Sequence, residues 1–274
     1  MTAGRIRPVL RWAGGKSWLV RQIPSIFGTL EFDRFHEPFL GGGSFFFAFA
    51  SGRPAVLSDK NEALIETYEC IRDDVDRVIK YLEQCKNTHE DYYRIRNEIY
   101  DCPYSRAGQF IFLNQTSFNG IYRVNLKGKY NVPYGGTGKT FLDKQALTDA
   151  STALVNAELR SQDFEEGFSR ISANDLVFID PPYTVSHNNN GFIKYNQTLF
   201  SIDDQHRLSE YIGRIDRLGA KYILTNAAHA KIAEIFELGR HRIEVNRASL
   251  IGGKKAERGS VSEYVFTNIE VRPA

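Results

Sequence analysis

The junction between Leu176-Val177-Phe178-Ile179 and Asp180-Pro181-Pro182-Tyr183 limits the possible folds more than any other part of the chain. Four consecutive apolar residues predict a short strand that is buried on both faces, as in a parallel sheet covered by helices. Two prolines cannot continue a strand ladder or enter a helix interior, so the strand must end in a stiff, extended turn. By itself this pattern fits a plain strand-ending turn with a surface tyrosine. It equally fits a clamp for a flat base with an exocyclic amine. In such a clamp Asp180 and a proline carbonyl accept hydrogen bonds from the amine, and Tyr183 stacks on the ring.

Short β-rich runs alternate with helical patterns on both sides of this junction. The predicted strands cover residues 32–39, 55–57, 176–180 and 221–225, and a helix is predicted over residues 205–218. Near the end, residues 242–249 and 262–268 alternate apolar and polar side chains, which predicts an antiparallel hairpin. The chain is therefore expected to form an α/β fold with a mostly parallel, Rossmann-like sheet that ends in that hairpin.

The middle of the chain has a different pattern. Asp74 can cap a helix, and Tyr92, Ile95 and Ile99 recur at the spacing of one helical face in the next. Strand character is weak until residues 121–133, which lie in a wider Gly-rich segment that extends to Gly138. We therefore predict an inserted helical domain with a β-hairpin over residues 61–149, within a domain formed by residues 1–60 and 150–274.

Composition excludes several classes of protein. The chain is 42% hydrophobic and 25% charged, which are ordinary globular values. Cys70, Cys85 and Cys102 form no CxxC pair, which argues against a disulfide framework or a zinc site and favours a reducing compartment. No apolar run approaches the ~20 residues that crossing a bilayer requires. Net charge is only +2, but basic residues cluster within 123–139 and 240–258, which fits either solvated surface or nucleic-acid binding.

A glycine-rich turn and an acid follow the first two predicted strands. In Glu37-Pro38-Phe39-Leu40-Gly41-Gly42-Gly43-Ser44, the glycines allow a sharp turn close to a ligand, and Ser44 can cap the helix that follows. Phe46 replaces the third glycine of G-x-G-x-x-G, which disfavours a dinucleotide site. Asp59 can bind ribose hydroxyls or cap the next helix. A nucleoside cofactor such as S-adenosylmethionine therefore fits better than NAD.

Arg11-Trp12-Ala13-Gly14-Gly15-Lys16 is a compact motif near the N-terminus. Trp12 supplies a flat wall, the glycines bring the backbone close, and Lys16 suits a carboxylate; together they fit the methionine end of that cofactor. The alternative is a core tryptophan beside a flexible turn. Gly138-Lys139-Thr140 looks like the end of a phosphate loop, but Pro133 occupies the position of the required earlier glycine, so a nucleotide hydrolase is not expected.

Taken together, these motifs resemble the Dam-type DNA adenine-N6 methyltransferases, from about Val9 to Glu270. The N-terminal motif, the glycine turn, Asp59 and the tetrapeptide match in identity and in order. The resemblance implies transfer of a methyl group from S-adenosyl-L-methionine to adenine N6 in duplex DNA after base flipping, within GATC or a related site. It also implies that the inserted domain recognises the target sequence, and that no metal is needed.

The resemblance also assigns individual residues. Catalysis is expected at Asp180, Pro181, Pro182 and Tyr183. The cofactor is expected at Trp12, Ala13, Gly14, Gly15, Lys16, Glu37, Phe39, Gly41, Gly43, Ser44, Asp59, Asp163, Phe164 and Asp180. DNA contacts are expected at Arg11, Phe118, Asn119, Arg123, Asn125, Pro133 and Lys139. In this assignment Phe118 wedges into the duplex, Arg123 reads a guanine, and Asp163 accepts from the adenine amine of the cofactor or is a plain surface acid.

The resemblance leaves the recognition sequence open at one place. Gly136-Thr137-Gly138-Lys139 interrupts the family's usual Arg-aromatic-Lys run, so the contacts with flanking bases are not fixed. We expect double-stranded DNA as partner, a monomer on DNA, no membrane, and a cytoplasmic location at the nucleoid; a cognate restriction endonuclease as a second partner is left open. RNA adenine or a protein glutamine amide as substrate, or a DNA-binding relative without catalysis, are the alternatives.

Overall fold

The computed structural model describes residues 6–125, 127–136, 138, 140–184, 200–237, 241–248 and 260–272. Its strands are β1 Phe35–Glu37, β2 Ala55–Asp59, β3 Ala157–Ser161, β4 Leu176–Ile179, β5 Lys221–Ala227, β6 His241–Ala248 and β7 Ser260–Thr267. They form a seven-stranded sheet in the order β3-β2-β1-β4-β5-β7-β6. The β1–β4, β4–β5 and β2–β3 pairs are parallel, whereas β5–β7 and β7–β6 are antiparallel. The predicted α/β fold and its terminal antiparallel hairpin are confirmed, although β1 is shorter than predicted.

Helices alternate with these strands along the chain. They are α1 Ser17–Val20, α2 Ile23–Ile26, α3 Glu62–Asp73, α4 Val75–Leu82, α5 His89–Asn97, α6 Pro103–Thr116, α7 Lys144–Leu154, α8 Ile202–Leu218 and α9 Ala230–Ile235. Asp74 caps α4 as predicted, since its side chain accepts from the Arg77 amide. Ser201 and Asp204 form a capping box at the start of α8, and Gly219, with φ of 80°, ends it. None of the helices within the described ranges combines the length and the apolar character that a membrane span requires.

The chain forms two compact units. The first consists of Met1–Gln22 and Leu40–Phe164, and the second of Ile23–Phe39 and Glu165–Ala274. The first unit therefore contains β2, β3 and the predicted insertion, and the second contains β1 and β4 to β7. The predicted domain limits at residues 61 and 149 stay a prediction.

Tyr92 joins helix α5 to the rest of the helical part of the first unit. Tyr92 on α5 is buried, and its hydroxyl donates to the Val132 carbonyl at 2.8 Å, which ties the helix to the Gly-rich segment. The prediction for Ile99 is wrong: α5 ends at Asn97, and Ile99 beyond it is 91% exposed. In the part of the Gly-rich segment that the structure describes, isolated antiparallel bridges, Val124 with Tyr130 and Ser117 with Tyr134, take the place of regular strands.

The centre of the second unit is β4, whose four side chains are all buried. Its register with β5 pairs Ile179, the last residue of β4, with Leu224, and β5 continues to Ala227. At the opposite end, Asp175 is buried and bonded to His36 Nε2 at 2.8 Å. This arrangement brings the Asp180 tetrapeptide and the residues after Leu224 to one edge of the unit.

Candidate active site

The carboxyl edge of β2 and β3 in the first unit is built around Asp59. Asp59 Oδ2 accepts from the Gly41 amide at 2.9 Å, and Oδ1 accepts from the Asn61 amide at 3.0 Å. Burial raises the pKa of Asp59 above 3.8, although the hydrogen bonds from Asn61 and Gly41 oppose the shift. The alternative interpretation of Asp59 as a helix cap is wrong, because the side chain of Asn61 caps α3. Asp59 instead fixes the glycine turn, and its oxygens can accept further hydrogen bonds.

The glycine turn packs against Trp12. Gly41 and Gly43 have φ of 47° and 62°, values that favour glycine. A β-carbon on Gly41 would lie 2.7 Å from Trp12 Cδ1, and one on Gly42 would lie 2.8 Å from Trp12 Cβ. Trp12 is half-buried and also stacks on Tyr122, with ring centroids 5.5 Å apart. The ring therefore bridges the turn and the segment predicted to recognise DNA.

Ser44 and Lys16 join the N-terminal motif to this turn. The predicted cap is wrong: no side chain caps the π-helical segment Phe46–Ala50, and Ser44 Oγ accepts from the Lys16 amide at 2.8 Å. Lys16 is only 2% exposed, and its Nζ donates to the Gly14 carbonyl at 2.6 Å. The motif thus holds a cation beside Gly14, while Ala13 and Gly15 are exposed.

The residues after β3 complete this edge. Asp163 forms an ion pair with Lys60 at 2.8 Å and is mostly shielded from solvent, so it is not a plain surface acid. Phe164 is buried. Gln162 Nε2 is a buried donor for which the described residues offer no hydrogen-bond acceptor. Carboxylate acceptors, a cation, an apolar ring and an unsatisfied donor make a set that fits a nucleoside with an amino-acid tail.

Three residues predicted for the cofactor, Glu37, Phe39 and Asp180, fall in the second unit. Glu37 is buried in β1. Phe39 is half-buried and packs edge-to-face on Phe200, with ring centroids 5.5 Å apart. Within the described residues, no cluster of His, Cys, Asp or Glu could hold a metal ion.

The tetrapeptide follows β4 and is anchored by hydrogen bonds. Asp180 Oδ1 accepts from the Thr225 hydroxyl at 2.7 Å. The Tyr183 hydroxyl donates to Glu263 Oε2 at 2.8 Å. Burial, and then the charges of Asp180 and Glu263, raise the pKa of Tyr183 well above 10.0, so the phenol keeps its proton and donates. Pro181 is buried and Pro182 is half-buried. The acid and the ring are therefore both held in place.

The sequence interpretation missed both partners, Thr225 and Glu263. Thr225 reads as one more β-branched residue in a buried strand. Glu263 could have been recognised from the sequence, because alternation along the strand puts its side chain on the same face as that of Val265. An acid on an apolar face of a strand needs a partner.

The comparisons with known proteins agree with one another. A family model of D12 class N6 adenine-specific DNA methyltransferases matches residues 12–249. The chain is 35% identical over 244 residues to the type II methyltransferase M.MjaIII of Methanocaldococcus jannaschii. This alignment covers 81% of this chain and 84% of that protein. It is 32% identical over 275 residues to the type II methyltransferase M1.LlaDCHI of Lactococcus lactis subsp. cremoris, covering 96% and 95%. It is 30% identical over 266 residues to the DNA adenine methylase of Escherichia coli strain K12, covering 94% of each chain.

The chain belongs to the D12 class of N6 adenine-specific DNA methyltransferases. In this methyltransferase the N-terminal motif is tied to α6 and lies against the turn that follows it. Asn114 is fully buried; its Oδ1 accepts from the Arg11 amide and its Nδ2 donates to the Arg11 carbonyl, both at 2.8 Å. A β-carbon on Gly120 would lie 2.5 Å from Arg11 Nε. Arg11 therefore lies against the turn that carries Phe118 and Asn119.

That turn exposes the predicted wedge of the methyltransferase. Phe118 is 53% exposed, which is unusual for so large an apolar side chain. Asn119 has φ of 57°, in the left-handed region that asparagine tolerates. The exposed Pro133 accepts from the Phe118 amide at 2.9 Å. These bonds fix the backbone that carries the exposed ring.

The remaining predicted DNA contacts lie beyond this turn. Arg123 is exposed, and its Nε donates to Asn131 Oδ1 at 2.8 Å. Asn125 Oδ1 accepts from the amides of Lys127 and Lys129, so this oxygen shapes the local turn. Lys139 lies outside the described residues, as do Arg240, Lys254, Lys255 and Arg258.

Proposed function

We propose that this methyltransferase uses S-adenosyl-L-methionine as methyl donor and Asp180-Pro181-Pro182-Tyr183 as the clamp for the target adenine. The observation that carries the proposal is the anchoring of the acid by Thr225 at 2.7 Å and of the ring by Glu263 at 2.8 Å. A clamp of this kind needs an acceptor and a stacking surface in fixed positions. Membership of the D12 class supplies the reaction.

The chemistry of the adenine amine explains why these residue types suit the clamp. The target amine is engaged in a base pair within the duplex, so the nucleotide must leave the stack before it can react. Tyr183 would stack on the extruded ring. The two N–H groups of the amine would donate hydrogen bonds to Asp180 and to the Pro181 carbonyl. These hydrogen bonds direct the nitrogen lone pair and hold the amine ready to react, so that much of the acceleration comes from positioning.

The cofactor would be held mainly by residues of the first unit. When bound, it supplies an electrophilic methyl group on a sulfonium. Asp59 would accept from the ribose hydroxyls and Asp163 from the adenine amine, while Lys16 would pair with the carboxylate. The unsatisfied Gln162 donor and the side-chain-free glycine turn support this assignment.

Recognition of the sequence would fall to Arg11, Phe118, Asn119 and Arg123. Phe118 would enter the duplex as the adenine leaves, and Arg123 would make a bidentate pair with a guanine. We propose GATC or a related site. The type II names of two relatives support a companion restriction endonuclease. We further propose a monomer that acts on duplex DNA at the nucleoid of the cytoplasm.

Transfer of a labelled methyl group tests the proposal. The purified protein would be incubated with labelled S-adenosylmethionine and, separately, with duplex DNA, RNA and protein. Label should enter only the DNA and should be recovered as N6-methyladenine. Label in RNA or protein with none in DNA would contradict the proposed substrate.

A further inference from the structure

A buried polar network lies directly behind the tetrapeptide in the second unit. The Thr225 hydroxyl contacts Asp180, and the Glu263 carboxylate contacts Tyr183. Thr225 and Glu263 are both 0% exposed. The two prolines already end the strand, so neither side chain is required to turn the chain.

Burial of the Glu263 carboxylate is not explained by a need for stability. A buried carboxylate loses its hydration, and a well-packed apolar residue in its place is often at least as stable. The residues that pair with Glu263 in the two neighbouring strands, Ala227 on β5 and Val245 on β6, have apolar side chains. The Tyr183 hydroxyl donates to Glu263, and this contact holds the phenol ring at one place.

Thr225 acts in the same way on the acid. The residues after Ile179 and Leu224 continue two paired strands, which brings Asp180 beside Thr225. A donor fixed on Oδ1 sets the plane of the carboxylate. Hydrogen bonds to a charged group are among the stronger ones, so this contact limits rotation of Asp180.

The end of the tetrapeptide is anchored by a separate chain of buried side chains. Gln205 Nε2 donates to Thr184 Oγ at 2.9 Å, and Asn226 Nδ2 donates to Gln205 Oε1 at 2.9 Å. Thr184, Gln205 and Asn226 are all buried. Helix α8 and strand β5 thus fix the backbone on the far side of Tyr183.

We propose that Thr225 and Glu263 are positioning residues of the amine clamp. Thr225 orients the Asp180 carboxylate toward the amine, and Glu263 holds the Tyr183 ring against the extruded base. This inference rests on the proposed roles of Asp180 and Tyr183.

Substitution of Thr225 tests the first half. Thr225→Val keeps the shape but removes the donor, so kcat should fall about tenfold to a hundredfold, the worth of one hydrogen bond to a charged group. The KM values for DNA and cofactor should change little, and Thr225→Ser should restore most of kcat. Thr267→Val is the matched control, because Thr267 is also fully buried and its hydroxyl donates to the Tyr222 carbonyl at 2.6 Å. Equal losses of kcat in the two valine variants, or a Thr225→Ser variant as slow as Thr225→Val, would overturn the role of Thr225.

A double-mutant cycle tests the second half. Glu263→Gln keeps an acceptor for the phenol and should remain close to wild type, whereas Glu263→Ala should lose about tenfold or more in kcat. In a Tyr183→Phe background, Glu263→Ala should cost much less, because the hydroxyl that it holds is already gone. Thermal unfolding of each variant shows whether it folds. Losses that simply multiply would show that Glu263 does not act through Tyr183.

These outcomes separate the two proposals. If the wild-type enzyme methylates no adenine, the proposed function fails. If the wild type is active and the Thr225 and Glu263 variants behave like Thr267→Val, only the positioning role fails.

Discussion

The contact between the glycine turn and Trp12 predicts a specific cost for one added methyl group. In Gly41→Ala the backbone is already at φ of 47°, and the new β-carbon would lie 2.7 Å from two atoms of the Trp12 ring. The left-handed conformation costs a non-glycine residue roughly 1–2 kcal/mol, and overpacking adds about 1–3 kcal/mol. The variant should therefore lose about 2–5 kcal/mol of unfolding free energy.

The matched control is Gly52→Ala. Gly52 has φ of 77°, but a β-carbon there would meet no atom within 4 Å. Only the backbone cost of roughly 1–2 kcal/mol should appear. Urea unfolding measures both variants. Equal losses in the two would refute the crowding of Trp12.

The same pair of variants tests the link to the cofactor. The Gly41 amide donates to Asp59, so a displaced turn also displaces the acid proposed to bind ribose. By calorimetry, Gly41→Ala should bind S-adenosylmethionine at least about tenfold more weakly, or 1.4 kcal/mol, whereas Gly52→Ala should bind normally. Unchanged binding by Gly41→Ala would refute the assignment of this turn to the cofactor.

Three other substitutions give separate tests. Burial raises the pKa of Asp175, but hydrogen bonds from His36 and the Ser172 amide outweigh burial and hold this pKa below 3.8. Asp175→Asn should therefore cost about 1.5–3 kcal/mol in urea unfolding at pH 7, and this difference should disappear as pH falls below 3.8 through the lowered pKa; an equal cost at pH 2 would contradict it. Arg123→Ala should lose about 1–3 kcal/mol of DNA affinity and relax discrimination at one base pair in competition binding; equal weakening on all sequences would indicate a phosphate contact. Asn114→Ala should raise the KM for DNA more than that for cofactor in steady-state assays, because it releases Arg11 from the recognition turn; the opposite ratio would argue against that link.

Local sequence patterns predict the frame of this protein well. The apolar run before Asp180 is a buried strand, and the two alternating segments near the end form the antiparallel hairpin. Two prolines end the continuous apolar run, and the alternating segments contain no proline, so both patterns agree with the fold. Ile99 fails because the pattern continues past the end of α5, and spacing alone does not show where a helix stops.

The polar contacts of the site were harder to predict. Ser44 looks like a helix cap but bonds to Lys16, which is distant in sequence. Thr225 and Glu263 approach the tetrapeptide only because β5 and β7 pair beside it. Such contacts depend on sheet register, which local patterns do not specify.

Mapping of methylated bases tests the central claim most directly. Unmethylated duplex DNA would be incubated with wild-type protein or with Asp180→Ala, and N6-methyladenine would be located along the sequence. The wild type should produce it at one recurring sequence context. Asp180→Ala should produce almost none, yet should still bind S-adenosylmethionine in equilibrium dialysis. An absence of N6-methyladenine with the wild type, or a near-normal rate for Asp180→Ala, would contradict the proposed clamp.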